Sequence, residues 1–307
     1  MTPASFSTRT FDWPLTTLII GSLIAMAGAA LFGTGLTWQL VLLIPLVALL
    51  GLPHGCLDLA IAKELRPLPS IAAIAIFVIA YLAMSGAVIA LWLAAPGPAL
   101  AAFLLYSAVH FGGDWRDELP RGAFALPGLA IVAIPAVLYQ AQTAQILAYL
   151  APQAWAATIT QVMTVIAVIA APISIILLAI SDHGQKRLPG FACLMILGLL
   201  APPLIYFIVY FCLSHSPQHL REAREALKLS WKQVLNLATP IWLATITGAL
   251  AAWLLIPGPI EAAALQTIFI GLAALTVPHM LLVEALWLSK DKQFGKPPSP
   301  AMNRAVT

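Results

Sequence analysis

Ten apolar stretches follow one another along the chain, at roughly 15–32, 38–62, 69–95, 98–113, 122–139, 154–180, 189–201, 203–229, 236–256 and 261–288. About 20 apolar residues suffice for a helix to cross the hydrocarbon core of a bilayer. The breaks carry turn chemistry: Gly33-Thr34-Gly35, Arg66-Pro67, Pro96-Gly97-Pro98, Leu119-Pro120, Pro202-Pro203 and Pro257-Gly258-Pro259. The pattern predicts an all-α, polytopic transmembrane helix bundle of about ten helices, with the polar stretch 140–153 as a connection. The first run, Leu15 to Phe32, resembles a signal peptide in its apolar character, but with so many spans downstream it is read as an uncleaved first helix.

The short stretch 189–201 raises the question of whether it is fused to the next. Basic residues favour the cytoplasmic side of short loops, and this decides the matter. With ten helices and a cytoplasmic N-terminus, all 15 Lys and Arg fall on the inner side: Arg9; Lys63 and Arg66; Arg116 and Arg121; Lys186 and Arg187; then the clusters 221–232 and 290–304. Fusing 189–213 into one helix would place the last eight of them outside. Both termini are therefore expected in the cytoplasm. The resulting division is a cytoplasmic segment 1–14, a single transmembrane catalytic domain 15–289 and a disordered cytoplasmic tail 290–307 in a cell (inner) membrane.

Composition agrees: the chain is 61% hydrophobic and 9% charged, against about 25% charged for a soluble domain. The net charge of +3 comes from loop residues and forms no nucleic-acid patch. The three cysteines, Cys56, Cys193 and Cys212, lie in apolar segments and are read as free thiols.

Chemistry enters with the histidines. Tyr206 to Leu220 is an aromatic, apolar run ending in His215 and His219, four residues apart and so on one helix face. His54, His110, His215, His219 and His279 lie on helices that all run outside to inside, 9, 6, 6, 2 and 11 residues before the next Lys or Arg. At about 1.5 Å per residue they share one layer in the inner half of the bilayer. Intramembrane ionisable residues are expensive, and five imidazoles in one layer point to a metal. Imidazole donors suit iron, copper, zinc or nickel and not magnesium or calcium. Two motifs read His-x3-Asp, His54 with Asp58 and His110 with Asp114. In each the carboxylate is expected one turn below its own imidazole, where it can fix a tautomer. Glu222 and Glu284 are weaker candidates for that role. Pro53 and Pro278, each directly before a histidine, are candidates for aiming an imidazole or for simple packing kinks. The aromatics Tyr206, Phe207, Tyr210, Phe211, Phe111 and Trp287 are candidates for lining a slot for a long apolar substrate.

Gly51-Leu52-Pro53-His54-Gly55 with Asp58, His110-Phe111-Gly112 with Asp114, His215-Ser216-x2-His219 and Pro278-His279-Met280 resemble, in order and spacing, the Brp/Blh family of bacterial and archaeal membrane β-carotene 15,15′-dioxygenases. The resemblance runs from about residue 40 to 288. It implies a non-haem Fe(II) held by His54, His110, His215 and His219, with β-carotene and O2 as substrates and two retinal molecules as products. It also implies contact with membrane lipid and a link to a microbial rhodopsin. His279 matches a further histidine whose role, as pocket residue, second layer or extra ligand, stays open. The competing readings are a di-iron desaturase or hydroxylase and a haem-binding electron carrier or transporter. The first wants more histidine clusters than one HxxxH. A rhodopsin is disfavoured, because no lysine lies mid-membrane.

Overall fold

The computed structural model describes residues 15–33, 35–120 and 122–294, with side chains described from 18 to 285. Every regular element among them is helical: α1 (Leu15–Phe32), α2 (Leu36–Leu65), α3 (Ile71–Ala94), α4 (Pro96–Gly112), α5 (Ala125–Leu138), α6 (Gln140–Ala148), α7 (Gln153–Ile180), α8 (Leu188–Leu200), α9 (203–226), α10 (Trp231–Leu255) and α11 (Ile260–Phe294). Each of the ten apolar stretches is a helix. Five helices, α2, α3, α7, α10 and α11 (as Ile260–Ala285), are long and apolar enough to cross a membrane, and the bent pair α5–α6 makes a sixth if taken as one span. Among the described residues the chain is all-helical, with the long apolar helices of a membrane protein. Positions 1–14 and most of 290–307 lie outside the described residues, and α11 runs past 289 to Phe294.

Local signals set the helix ends. Ser70 caps α3 by accepting from the Ala73 N–H at 3.1 Å, and Ser230 with Gln233 forms a capping box at the start of α10. The separation of α8 from α9 is real, with Ala201 and Pro202 extended between them. The outward faces of α3 and α7 are lined with exposed apolar side chains such as Ile76, Ile79, Val165 and Ile169, as lipid contact requires. Between helices, small residues allow backbones to close in. A Cβ on Gly128 of α5 would collide with the Ala108 carbonyl of α4, and one on Gly112 would lie 2.5 Å from the Phe124 carbonyl.

One connection is not a loop. The stretch expected to be a polar link holds α6, which folds back from α5 at 109°. Thr143, Ile146, Leu147 and Leu150 fall at i, i+3, i+4 and i+7 and are all buried, which is the stripe of an amphipathic helix. That signal was legible but was masked by the polarity of Gln140, Gln142 and Gln145. Trp92 Nε1 donates to the Leu150 carbonyl at 2.8 Å and Gln266 Nε2 to the Tyr149 carbonyl at 2.9 Å, so α3 and α11 anchor its end.

Candidate metal centre and apolar cavity

Two helices, α2 and α9, reach the site through irregular backbone. In α2 a π-helical turn, Val47–Gly51, passes into a 3-10 turn, Leu52–Leu57, around Pro53 and His54. In α9 the segment Ile208–His215 is π-helical. Such turns leave carbonyls outside the regular ladder, and inside a membrane each needs a partner. Here the partners are site residues: Ser216 Oγ donates to the carbonyls of Leu50 and Gly51, and His54 Nδ1 donates to the Gly51 carbonyl at 2.5 Å. The two irregular segments touch, since a Cβ on Gly51 would lie 2.7 Å from the Phe211 ring. In α11, Pro278 lies inside the helix one residue before His279. The nearby carbonyls of Leu275 and Val277 accept Tyr81 and Tyr106 hydroxyls, each at 3.3 Å. Pro53 thus sits in a 3-10 turn that carries His54, whereas the α-helix continues through Pro278.

The five membrane histidines converge. Ring centroids lie 4.2 Å apart for His215 and His219, 4.7 Å for His110 and His215, 5.1 Å for His54 and His279, and 5.8 Å for His54 and His215. One nitrogen from each of His54, His110 and His279 lies within 4.8 Å of the other two, as do single donor atoms of Asp114, His215 and His219.

The aspartates do not serve the histidines of their own motifs. Asp58 accepts from His279 Nδ1 at 2.7 Å and from the Tyr81 hydroxyl at 2.8 Å. Asp114 accepts from His215 Nδ1 at 2.9 Å, His219 Nε2 at 2.8 Å and the Tyr210 hydroxyl at 2.9 Å. The i, i+4 reasoning set the carboxylate beside the imidazole above it. In the fold the local backbone turns 3-10 after both His54 and His110. Each carboxylate is thereby swung across the bundle to a histidine of a later helix. The result is a repeated unit of aspartate, tyrosine and distant imidazole. Neither Tyr81 nor the bond from Tyr210 to Asp114 carries a sequence signal, because both tyrosines sit in ordinary apolar runs.

Tautomers follow from these partners. A carbonyl or carboxylate can only accept, so His54, His215 and His279 each carry Nδ1–H and present Nε2 as a lone pair. His215 Nε2 stands 3.0 Å from His110 Nε2. Two nitrogens at right angles, each about 2.1 Å from one ion, are about 3.0 Å apart. His279 Nε2 is buried with no hydrogen-bond partner. Converging imine lone pairs, one of them orphaned, fit a divalent transition-metal ion.

The remaining candidates divide. Phe111, Tyr206, Phe207, Tyr210 and Phe211 line one apolar cavity with His54, His110 and His279. Side chains of α5 and α6, including Ile131 and Leu147, also line it. Phe111 packs edge-on against His215 at 4.8 Å. The Trp287 side chain lies outside the described residues. Glu222 and Glu284 line a second, more polar cavity that shares His54, His110 and His279 with the first, together with Arg116 and His219. Glu222 accepts from Gln218 at 2.7 Å and Glu284 pairs with Arg116 at 2.9 Å. The three cysteines are free; Cys56 Sγ donates to the Leu52 carbonyl at 3.4 Å. Arg187 was missed as well: it donates to the Asp114 carbonyl and pairs with Glu118 at 2.7 Å.

Fold and site together define a helical membrane protein with an imidazole-lined centre at the wall of an apolar cavity. The sequence profile of the β-carotene 15,15′-dioxygenase family matches residues 45–287. A protein from uncultured marine bacterium 66A03, described as a β-carotene 15,15′-dioxygenase, is 29% identical over 269 residues, which cover 79% of this chain and 92% of that relative. No solved structure matches the chain. The chain belongs to the β-carotene 15,15′-dioxygenase family, a class of oxygen-incorporating, carotenoid-cleaving oxidoreductases.

Proposed function

We propose that the protein is a membrane non-haem Fe(II) dioxygenase that cleaves the central 15,15′ double bond of β-carotene with O2 to give two molecules of all-trans-retinal. The observation that carries this reading is the convergence of imine nitrogens on the wall of an apolar cavity. His54, His110, His215 and His219 would hold the iron, which when bound supplies the activation of O2. In the overall reaction one C=C bond is broken, two C=O bonds form, and both oxygen atoms of O2 are taken up. No net proton transfer is needed, which suits a centre whose carboxylates, Asp58 and Asp114, already accept imidazole and tyrosine protons.

The other residues bind, orient and exclude water. Phe111, Tyr206, Phe207, Tyr210 and Phe211 offer aromatic faces to a polyene. Stacked Phe207 and Phe211, with centroids 5.0 Å apart, form a flat wall leading to His54. Tyr206 donates its hydroxyl to the Ile131 carbonyl at 3.1 Å and so turns its apolar ring to the cavity. Substrate would enter from membrane lipid, where it dissolves. About ten spans in a cell inner membrane with both termini cytoplasmic agree with the Lys and Arg distribution, and retinal so made would supply a microbial rhodopsin.

Expression in cells that accumulate β-carotene tests the reading: the orange colour should fade and retinal should appear in extracts. Persistent colour without retinal, in protein shown to contain iron, would refute it. A Soret band in the purified protein would favour the haem alternative instead.

A further inference from the structure

We propose that His279 is itself a ligand of the metal, held toward it by Asp58 and Tyr81. This rests on the iron reading above and adds a donor to the set that the sequence resemblance names.

Three observations support it. First, His279 Nε2 is buried and has no hydrogen-bond partner. A histidine kept for packing would have that nitrogen paired or wetted, because an orphaned buried acceptor is costly. Second, the nitrogen faces the other donors. The His279 ring stands edge-on to His54 and His110, with centroids 5.1 and 5.8 Å away and planes at 90° and 88°. It borders both the apolar and the polar cavity, as His54 and His110 also do. Third, its support duplicates that of His215. Each imidazole gives Nδ1–H to an aspartate whose other interactions include a tyrosine hydroxyl: Asp58 and Tyr81 for His279, Asp114 and Tyr210 for His215. A carboxylate behind the distal nitrogen is how proteins orient metal-bound imidazoles and raise their basicity. If His215 is a ligand on this evidence, His279 has the same credentials.

The consequence is a division of labour. His54, His110 and His279 line the apolar cavity with one nitrogen of each within 4.8 Å of the other two, and would hold the metal where the polyene would lie. His215 is fully buried behind Phe111.

The test uses purified protein, loaded anaerobically with Fe(II) or with Co(II) as a spectroscopic stand-in. His279→Ala should retain metal at least tenfold less tightly against a graded chelator, and its Co(II) visible bands should change. Added imidazole should restore both, since it can refill the vacated position. Asp58→Asn keeps the shape but removes the charge and one of the two accepting oxygens that His279 and Tyr81 use, and should weaken retention by about tenfold to a hundredfold. If His279→Ala folds and binds Co(II) with wild-type affinity and spectrum, the proposal is wrong. Should that variant not fold, Asp58→Asn decides, and unchanged affinity and bands overturn the proposal. Wild-type protein that binds neither metal would overturn the iron reading itself, whereas a loaded wild type beside an unaltered His279→Ala overturns only the role of His279.

Discussion

Replacing Asp114 by Asn isolates the positioning of the imidazoles from their identity. Asp114 is buried and acts as acceptor for three donors, with Oδ2 shared by His215 and Tyr210 and Oδ1 taken by His219. Asparagine has the same size but only one accepting atom. If its carbonyl faces His215 and Tyr210, its NH2 meets the His219 Nε2–H. If it is flipped, the NH2 meets the other two donors. In either orientation at least one imidazole must change tautomer or turn, and the charge that strengthened all three hydrogen bonds is gone. Hydrogen bonds to charged groups are worth about 1.5–3 kcal/mol each. Loss of an outer partner of a ligating histidine typically weakens metal binding by about 10–100-fold, or about 1.4–2.7 kcal/mol. The expected outcome is a fall of that size in iron retention against a graded chelator, with retinal formation declining in proportion to iron content. Tyr210→Phe removes one donor, leaves the carboxylate its two imidazoles, and should have the smaller effect, about 0.5–1.5 kcal/mol. Asp114→Asn protein that keeps iron with wild-type affinity would refute the claim that this carboxylate orients the site.

Three other outcomes probe the scaffold and the cavity. Gly128→Ala should lower stability by about 3 kcal/mol or more, because its Cβ meets the Ala108 carbonyl and backbone cannot give way; Gly86→Ala, with open space around it, should stay within about 1 kcal/mol of wild type in the same thermal unfolding measurement in detergent. Arg187→Met leaves Glu118 buried without its partner and should cost about 3–5 kcal/mol near neutral pH. Burial already pushes the Glu118 carboxyl up, with Arg187 opposing it. Without Arg187 it should rise further, so the loss should shrink as pH falls and Glu118 takes up a proton; a pH-independent loss would contradict this. Leu147→Trp narrows the apolar cavity that Leu147 lines and should lower kcat/KM for β-carotene on the order of a hundredfold while iron content stays at the wild-type value; unchanged turnover would mean that the substrate lies elsewhere.

The legible part of this protein was what local pattern controls. Ten apolar runs with Gly and Pro breaks became ten helices, because in a membrane each stretch must satisfy its own backbone. The five histidines were recognisable as a group because charge bias aligned their helices, and they do meet. The pairing inside the group was not legible. Spacing put Asp58 below His54 and Asp114 below His110. The chain instead turns 3-10 at those points, and the carboxylates reach His279 and His215 over separations of 221 and 101 residues. A regular helix repeat cannot announce a π or 3-10 turn, since such turns are stabilised by partners elsewhere, as Ser216 bonds the Leu50 and Gly51 carbonyls. The α6 wall was half legible, its apolar stripe hidden among glutamines.

Sequence by itself therefore determined that the chain is a helical membrane protein, and that one layer of imidazoles beside an aromatic run is its chemical centre. These follow from composition, period and charge, which are local properties. Which nitrogen of each imidazole is held back, which is turned inward, and which carboxylate does the holding were decided only by tertiary structure. Those choices depend on hydrogen bonds between helices far apart in the chain. The orphaned nitrogen of His279 is the clearest case: the residue was visible from the start, but its direction became defined only when α11 packed against α2 and α3.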